Sequence, residues 1–384
     1  MREFDYRTLA EMKWSSEILS YVAKIHEYKG RQERDLAQRP AMLARLVEIA
    51  RIQSTESSNR IEGIVTTSAR LAKLVADKTT PRNRDEGEIL GYRDVLALIH
   101  EHYGDIPLSP NIILQLHRDM LSYTHLSYGG HFKNTPNEID MTLRDGRRVM
   151  LFRPLEPYET PDAVERICAS FREAHALELV DDLLLIPCFI LDFLCIHPFN
   201  DGNGRMSRLL TLLLLYQSGY MVGRYISVEK AIADTKESYY EALRASNQGW
   251  HEGGDHPEPF VRYMLSILLK CYRDLDARVE IAAPNEGKLK CYRDIDGRVE
   301  VATPKRGKVT AYEEVRAYVA QKIGWFTKKD VLLSCPNLGS SSVEAALKRL
   351  TEEQNIQRKG KGRATRYKFS GGVGQQVQSQ RGNL

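Results

Sequence analysis

The residues best suited to chemistry lie in the stretch HPFNDGNGRMSR, from His197 to Arg208. An imidazole such as that of His197 can take a proton from an incoming hydroxyl near neutral pH. Asp201 is a hard oxygen ligand of the kind that holds Mg²⁺ beside a nucleotide's phosphates. Gly202 and Gly204 carry no Cβ, so the backbone can approach an anion closely. The stretch runs on into LLTLLLLY, which reads as a buried helix, and the first turn of a helix presents free N–H groups and a partial positive charge. Arg205 and Arg208, three apart, fall on neighbouring positions of one helix face and offer guanidinium forks to phosphate oxygens. A base, a metal ligand, a backbone cradle and two arginines together suit attack by an alcohol on a nucleotide phosphate. The GxxxxGK[ST] pattern of a P-loop is absent.

The elements that must hold this set are mainly helical. Apolar residues recur at helical spacing in Leu43, Leu46, Val47 and Ala50, and again in Ile112, Ile113, Leu116 and Met120. Breaks fall near Pro81 and Pro107. One segment differs: from His131 to Pro157 two alternating runs flank Asp145-Gly146, which predicts a β-hairpin. A lone hairpin is marginally stable and needs a use. Near Lys270 and Lys290 the chain repeats itself, KCYRDLDARVEIAAPNEGK and then KCYRDIDGRVEVATPKRGK. Two copies do not make a solenoid, and the pair reads as a helix end and linker. Beyond Lys308 the pattern predicts a helix from Tyr312 to Ile323, a second in FTKKDVLLSC, a third beginning at an N-cap Ser340 or Ser341, and a basic hairpin in RKGKGRATRYKF. That is the order of a winged helix-turn-helix, whose third helix could enter a major groove while the hairpin meets phosphate. A protein-interaction module is an equally good reading of it.

Composition sets the outer limits. The 384 residues are 42% hydrophobic and 28% charged, ordinary for a globular chain with room for two or three domains. No apolar run approaches the ~20 residues that span a bilayer, and the first residues are charged rather than signal-like, so a cytoplasmic protein is expected. The six cysteines form no CxxC pair and read as buried thiols. The net charge of +4 hides an asymmetry: from Val301 onward 16 Lys and Arg stand against 6 Asp and Glu, a surplus of +10, and the rest of the chain is −6.

HPFNDGNGRMSR resembles the signature of the Fic family, H-x-F-x-[DE]-G-N-G-R-x-x-R, at every defined position, and the likeness extends over roughly Phe4 to Val279. The resemblance implies a Fic-type helical bundle with a β-hairpin flap and transfer of AMP from ATP to a Ser, Thr or Tyr hydroxyl of a protein target. It makes His197 the general base, Asp201 the Mg²⁺ ligand, and Gly202, Asn203 and Gly204 the anion hole. Arg205 and Arg208 become contacts to the β- and γ-phosphates, and Phe199 an inward anchor. It gives the hairpin a use as a flap over the nucleotide that holds the target segment by strand addition, with Asn137, Glu138, Ile139 and Asp140 nearest the nucleotide. Tyr239, Tyr240 and Asn247 match the family's adenosine-side segment, though core packing explains the tyrosines nearly as well.

SSNRIEG matches the family's inhibitory pattern [ST]-x-x-x-E-[GN] through Ser58, Glu62 and Gly63, on a helix expected at about 46–64. Ser58 and Glu62, four apart, share one helix face, and a carboxylate reaching Arg208 would take the guanidinium that the γ-phosphate needs. The expected organisation is mainly α: an N-terminal helical region with the inhibitory helix over 1–105, a catalytic core over 106–280, a repeat-derived linker over 281–307, a winged helix-turn-helix over 308–370 and a disordered tail over 371–384. Expected partners are ATP, Mg²⁺, a protein hydroxyl, the chain itself, a second copy in a homodimer, and DNA through the winged helix, with no membrane. Removal of AMP by the same site is a further option. Two alternatives stay open: transfer of another phosphate-containing group, and a DNA-binding regulator whose helical domain senses nucleotide.

Overall fold

The computed structural model describes residues 3–36, 40–76, 79–142, 148–254, 256–282, 310–321, 325–335, 338–360 and 365–369. The chain divides into two compact units, Met1–Tyr272 and Arg273–Leu384.

In the first unit a short 3₁₀ turn (Tyr6–Ala10) precedes α1 (Ser16–Leu36), α2 (Pro40–Ile61), α3 (Ser68–Val75), α4 (Arg84–His102) and α5 (Pro110–Met120). The hairpin follows as β1 (Ile139–Thr142) and β2 (Arg148–Phe152), then α6 (Thr160–Ala176), α7 (Asp182–Ile196), α8 (Asn203–Gln217), α9 (Val228–Asp234), α10 (Lys236–Ser246) and α11 (Glu258–Ala282), within which the two units divide. Side chains set the helix starts. Asn83 accepts from the Glu86 N–H, Ser109 from Ile112 with Pro110 in the first turn, and Asp181 from Leu183.

Every α7 residue from Leu183 to Ile196 is buried, because the run has no polar face to turn to water. It lies between α6 and α8, while α4 packs on α8 and α2 packs on both α4 and α9. Its one carboxylate in that run, Asp192, accepts from the Tyr6 hydroxyl at 2.8 Å and the Trp250 indole at 2.6 Å, which ties both flanks of the unit to the central helix. The hairpin is antiparallel as expected, with an irregular register between Ile139 and Asp140; its Asp145-Gly146 turn lies outside the described residues.

The second unit holds α12 (Ala311–Gln321), β3 (Trp325–Phe326), α13 (Lys328–Ser334), α14 (Ser340–Glu352), β4 (Ile356–Lys359) and β5 (Arg366–Phe369). Its sheet is antiparallel with β5 in the middle, in the order β3-β5-β4. Val315, Val319, Phe326, Val331, Val343, Leu347, Leu350 and Ile356 form its core. The three helices and the basic hairpin sit where the sequence puts them, but β3 does not show in the pattern, since two residues carry no period. The N-cap of α14 is Gly339 and no side chain caps it, so neither Ser340 nor Ser341 fills that role. The first repeat copy continues α11 as expected; the second copy, the 283–309 stretch and the tail from 370 lie outside the described residues. Five cysteines, 168, 188, 195, 271 and 335, are free and buried. No helix among the described residues is long and apolar enough to cross a membrane.

Candidate active site

α7 ends where His197 turns into the left-handed region, φ 53°, ψ 62°, which stops the helix and starts the loop. Few side chains tolerate that conformation, and histidine is among those enriched in it. The loop is then folded by its own residues. Asn203 accepts from the Phe199 N–H at 2.9 Å and donates to the Phe199 carbonyl at 2.7 Å, so one amide closes both ends of the turn. Phe199 is fully buried and stacks on His117 with ring centroids 3.7 Å apart at 11°. Gly202, at φ 87°, is the N-cap of α8, and a Cβ there would strike the Met120 side chain at 2.7 Å.

Residues outside the motif brace this loop, His117 and Lys133 among them. His117 Nε2 donates to the Asp201 carbonyl at 3.0 Å while its Nδ1 accepts from the Gly130 N–H at 3.1 Å, which requires the neutral ring. Burial agrees, pushing its pKa down to about 4. Lys133 donates to the Ile196 carbonyl at 3.0 Å and, through its backbone N–H, to the Pro198 carbonyl at 2.8 Å. Its ammonium thus caps α7 next to His197, and burial lowers its pKa to about 8.

His197 itself is held by its Nδ1 near the Leu194 carbonyl at 3.3 Å. Burial, with help from the Lys133 charge, lowers its pKa to about 4, so at neutral pH the ring carries no proton on one nitrogen and can accept one. Asp201 stands at the start of α8. One oxygen accepts from the Gly202 N–H at 2.6 Å and lies 3.5 Å from Arg205; the other accepts from Arg84 at 3.0 Å. Among the described residues no group of three or more His, Cys, Asp or Glu could enclose a metal. A half-exposed single carboxylate beside a helix N-terminus fits Mg²⁺, which commonly takes one or two protein carboxylates and finds its other oxygens on phosphates and water.

The two motif arginines have different partners. Arg205 is fully buried and bonded to the buried Glu88 of α4, which Arg84 also grips at 2.6 Å. Arg208 is buried too. It donates through Nε to the Ser58 hydroxyl at 2.8 Å and through Nη2 to the Ser58 carbonyl at 3.0 Å and to the Glu62 carboxylate at 2.8 Å. Burial opposes its charge, Glu62 and its other neighbours outweigh that, and its pKa is raised. The same Glu62 carboxylate lies over the backbone of α8: a Cβ on Gly204 would meet its Oε1 at 2.2 Å. An anion therefore already sits on the N-terminus of α8 beside Arg208.

Glu62 is presented by the end of α2. The expected helix reaches 64; the helix ends at Ile61, with Glu62 just beyond it. The Ile64 N–H bonds the Asn59 carbonyl at 3.0 Å and the Gly63 N–H bonds the Arg60 carbonyl at 3.1 Å, with Gly63 at φ 82°. This is a Schellman turn, which explains why a glycine follows the glutamate. Further back, α2 is anchored by a buried polar chain. Ser54 donates at 2.6 Å, and Tyr92 at 3.0 Å, to the buried carboxylate of Glu229, and the Tyr92 hydroxyl also bonds Ser58, which holds Arg208.

Other expected site residues lie as follows. Asn137 donates to the Phe199 carbonyl at 3.0 Å and accepts from Lys133 at 2.9 Å, so its amide is engaged in holding the loop. Glu138 is exposed, and the side chains of Ile139 and Asp140 lie outside the described residues. Tyr239 is buried against Phe260 and Tyr263, and both it and Tyr240 feel the charges of Arg208 and Glu62; burial first raises the pKa of each, Tyr240 to about 12. Asn247 lines a recess of about 290 Å³ with Phe152, Trp250 and His251. Sequence reading missed Arg84, Glu88, Tyr92, His117, Lys133 and Glu229. Only the half-polar runs DEGEILGYR and LQLH, a buried charge, phenol or imidazole inside an apolar stripe, could have marked three of them.

Residues 107–215 match the Fic/DOC family. The chain is 23% identical over 232 residues, 58% of its length, to a protein adenylyltransferase Fic of Nematostella vectensis, covering 48% of that protein. It is 30% identical over 98 residues, 26% of its length, to a probable protein adenylyltransferase of Aquifex aeolicus, covering 27% of it. The chain thus spans about half, or less, of the length of the curated relatives it matches. Among solved structures, a Fic family protein from Desulfovibrio desulfuricans G20 superposes with a TM-score of 0.58 at 20% identity, over 95% of this chain and 99% of that one. At that identity the likeness concerns the fold.

Proposed function

We propose that this chain, which carries a Fic domain over residues 107–215, transfers AMP from ATP to a hydroxyl of a protein, itself included, and that Glu62 holds the transfer in check. The observation that carries this reading is the anion already at the anion site: the Glu62 carboxylate bonded to Arg208 and lying against Gly204. A site shaped to hold a carboxylate there is shaped to hold a phosphate there, and the two compete for one guanidinium.

In the proposed reaction the polyphosphate takes the place of that carboxylate on the first turn of α8 and Arg208. His197, neutral at pH 7, removes the proton of the target hydroxyl as its oxygen bonds the α-phosphorus, and pyrophosphate leaves. Asp201 would hold Mg²⁺, whose charge would stabilise the phosphate oxygens. Arg205 has a structural share in this: bonded to Glu88 and close to Asp201, it fixes the ligand carboxylate.

The test is intact-protein mass after incubation with ATP and Mg²⁺, for wild type, Glu62→Gly, and Glu62→Gly with His197→Ala. The expected result is little or no AMP on wild type, at least one AMP on Glu62→Gly, and none on the double variant. No gain on Glu62→Gly, alone or in a cell lysate, would sink the reading.

A further inference from the structure

Among the described residues of the second unit, the cations of α14 and those of the sheet differ in whether an acid meets them. On α14 the cations are matched within the helix: Lys348 lies 3.8 Å from Glu352 and Arg349 2.9 Å from Glu353, while Glu344 takes Lys328 of α13. The sheet differs. Its register sets Phe326 opposite Tyr367 and Ile356 opposite Phe369, and the near-complete burial of Phe326 and Ile356 marks that face as the inner one. The alternation of a strand then puts Trp325, Gln357, Lys359, Arg366 and Lys368 on the outer face. Trp325 pairs with Lys368 across β3 and β5, and Lys359 with Arg366 across β4 and β5. Trp325 is 42% exposed and, with Lys359, Gly360 and Arg366, borders a recess of about 330 Å³. Among the described residues no carboxylate pairs with Lys359, Arg366 or Lys368.

A large exposed ring on a flat sheet, edged by three unneutralised cations, is complementary to a polymer that alternates flat π-faces with phosphates. We propose that this outer face binds single-stranded nucleic acid, with Trp325 stacking on a base and Lys359, Arg366 and Lys368 meeting the backbone. A single strand is specified because the ring needs a base whose face is free, and in a duplex both faces of a base are already stacked. The proposal moves the docking surface away from α14, where the sequence order of helices places it. It stands on the second unit alone and is independent of the transfer chemistry.

The test uses the full chain and fluorescence anisotropy with a labelled oligodeoxythymidine and with a duplex of the same length, at about 50 and 200 mM salt. The expected result is tighter binding of the single strand, steeply weakened by salt. Trp325→Ala should weaken it about tenfold or more, and Trp325→Phe should recover most of that affinity. Lys359→Gln with Arg366→Gln should flatten the logarithmic salt slope by about 1.4, roughly 0.7 for each phosphate that is no longer neutralised. Lys348→Gln with Arg349→Gln should leave affinity within about twofold, because those charges are already matched. These side chains are largely exposed, so unchanged far-UV circular dichroism separates failure to bind from failure to fold. No binding by wild type, equal or tighter binding of the duplex, or a full effect from the α14 pair would overturn the proposal.

Discussion

Two carboxylates meet the two arginines of α8, and they do so in different ways. Glu88 comes from α4, its side chain is 2% exposed, and it is also gripped by Arg84. Glu62 comes from just past the end of α2, its side chain is 31% exposed, and Arg208 keeps the Ser58 hydroxyl and carbonyl if the carboxylate leaves. One arginine has its counter-charge buried with it; the other has a counter-charge that stands partly in water at a helix end. The difference between the two charges lies in where on a helix the acid stands, not in the distance of the pair.

The comparison breaks if the two acids respond alike to removal. Glu88→Gln leaves Arg205 buried without its main counter-charge, and the expected fall is about 3–5 kcal/mol of unfolding free energy in urea titrations, with little protein left folded at physiological temperature. His117 belongs to the same fixed half of the site. Its pKa of about 4 in the fold lies below the usual 6.5, so as pH falls the unfolded chain binds the extra proton first. Its contribution is complete above about pH 6.5 and is lost as pH falls toward 4, on the order of 3 kcal/mol in all. His117→Phe, which keeps the stacked ring, should flatten the fall of stability across that range. Glu62→Gly should cost only about 1.5 kcal/mol and, on the proposed function, raise AMP transfer. The mildest change sharpens the contrast most. Gly63→Ala leaves every charge in place but strains the left-handed turn by about 1 kcal/mol, which should raise the basal rate by up to about fivefold, between wild type and Glu62→Gly.

Legibility in the sequence follows locality. The loop from His197 to Arg208 is contiguous, and glycines, an asparagine and a buried phenylalanine fold it through bonds spanning four residues. Ser58, Glu62 and Gly63 are legible because one helix end presents them, although the stop at Ile61 comes earlier than the pattern predicts: the cue is Gly63, and a helical pattern read by apolar spacing runs straight past it. Glu88 and Arg84 pair with each other four residues apart, but their part in the site is not legible, since the Arg205 and Asp201 they meet lie 117 residues away. The hold of Asn137 on the loop carbonyls is not legible either, because its environment is decided by a lysine four residues before it and a phenylalanine far along the chain.

On the proposed function, the anchoring of α2 at Ser54, through Glu229 and Tyr92, bears on how fast Glu62 can leave Arg208. Ser58 on Arg208 and the Ile61 carbonyl on Lys236 hold the helix to its last residue, so on the proposed function withdrawal is a movement of Glu62 at the helix end and not a displacement of the helix. Such end motions relax in about a microsecond or less, far faster than a turnover of seconds to milliseconds. Glu62 would then leave and return many times in each catalytic cycle. On that reading a releasing signal has no gate to open; it has only to change the fraction of time the carboxylate spends away.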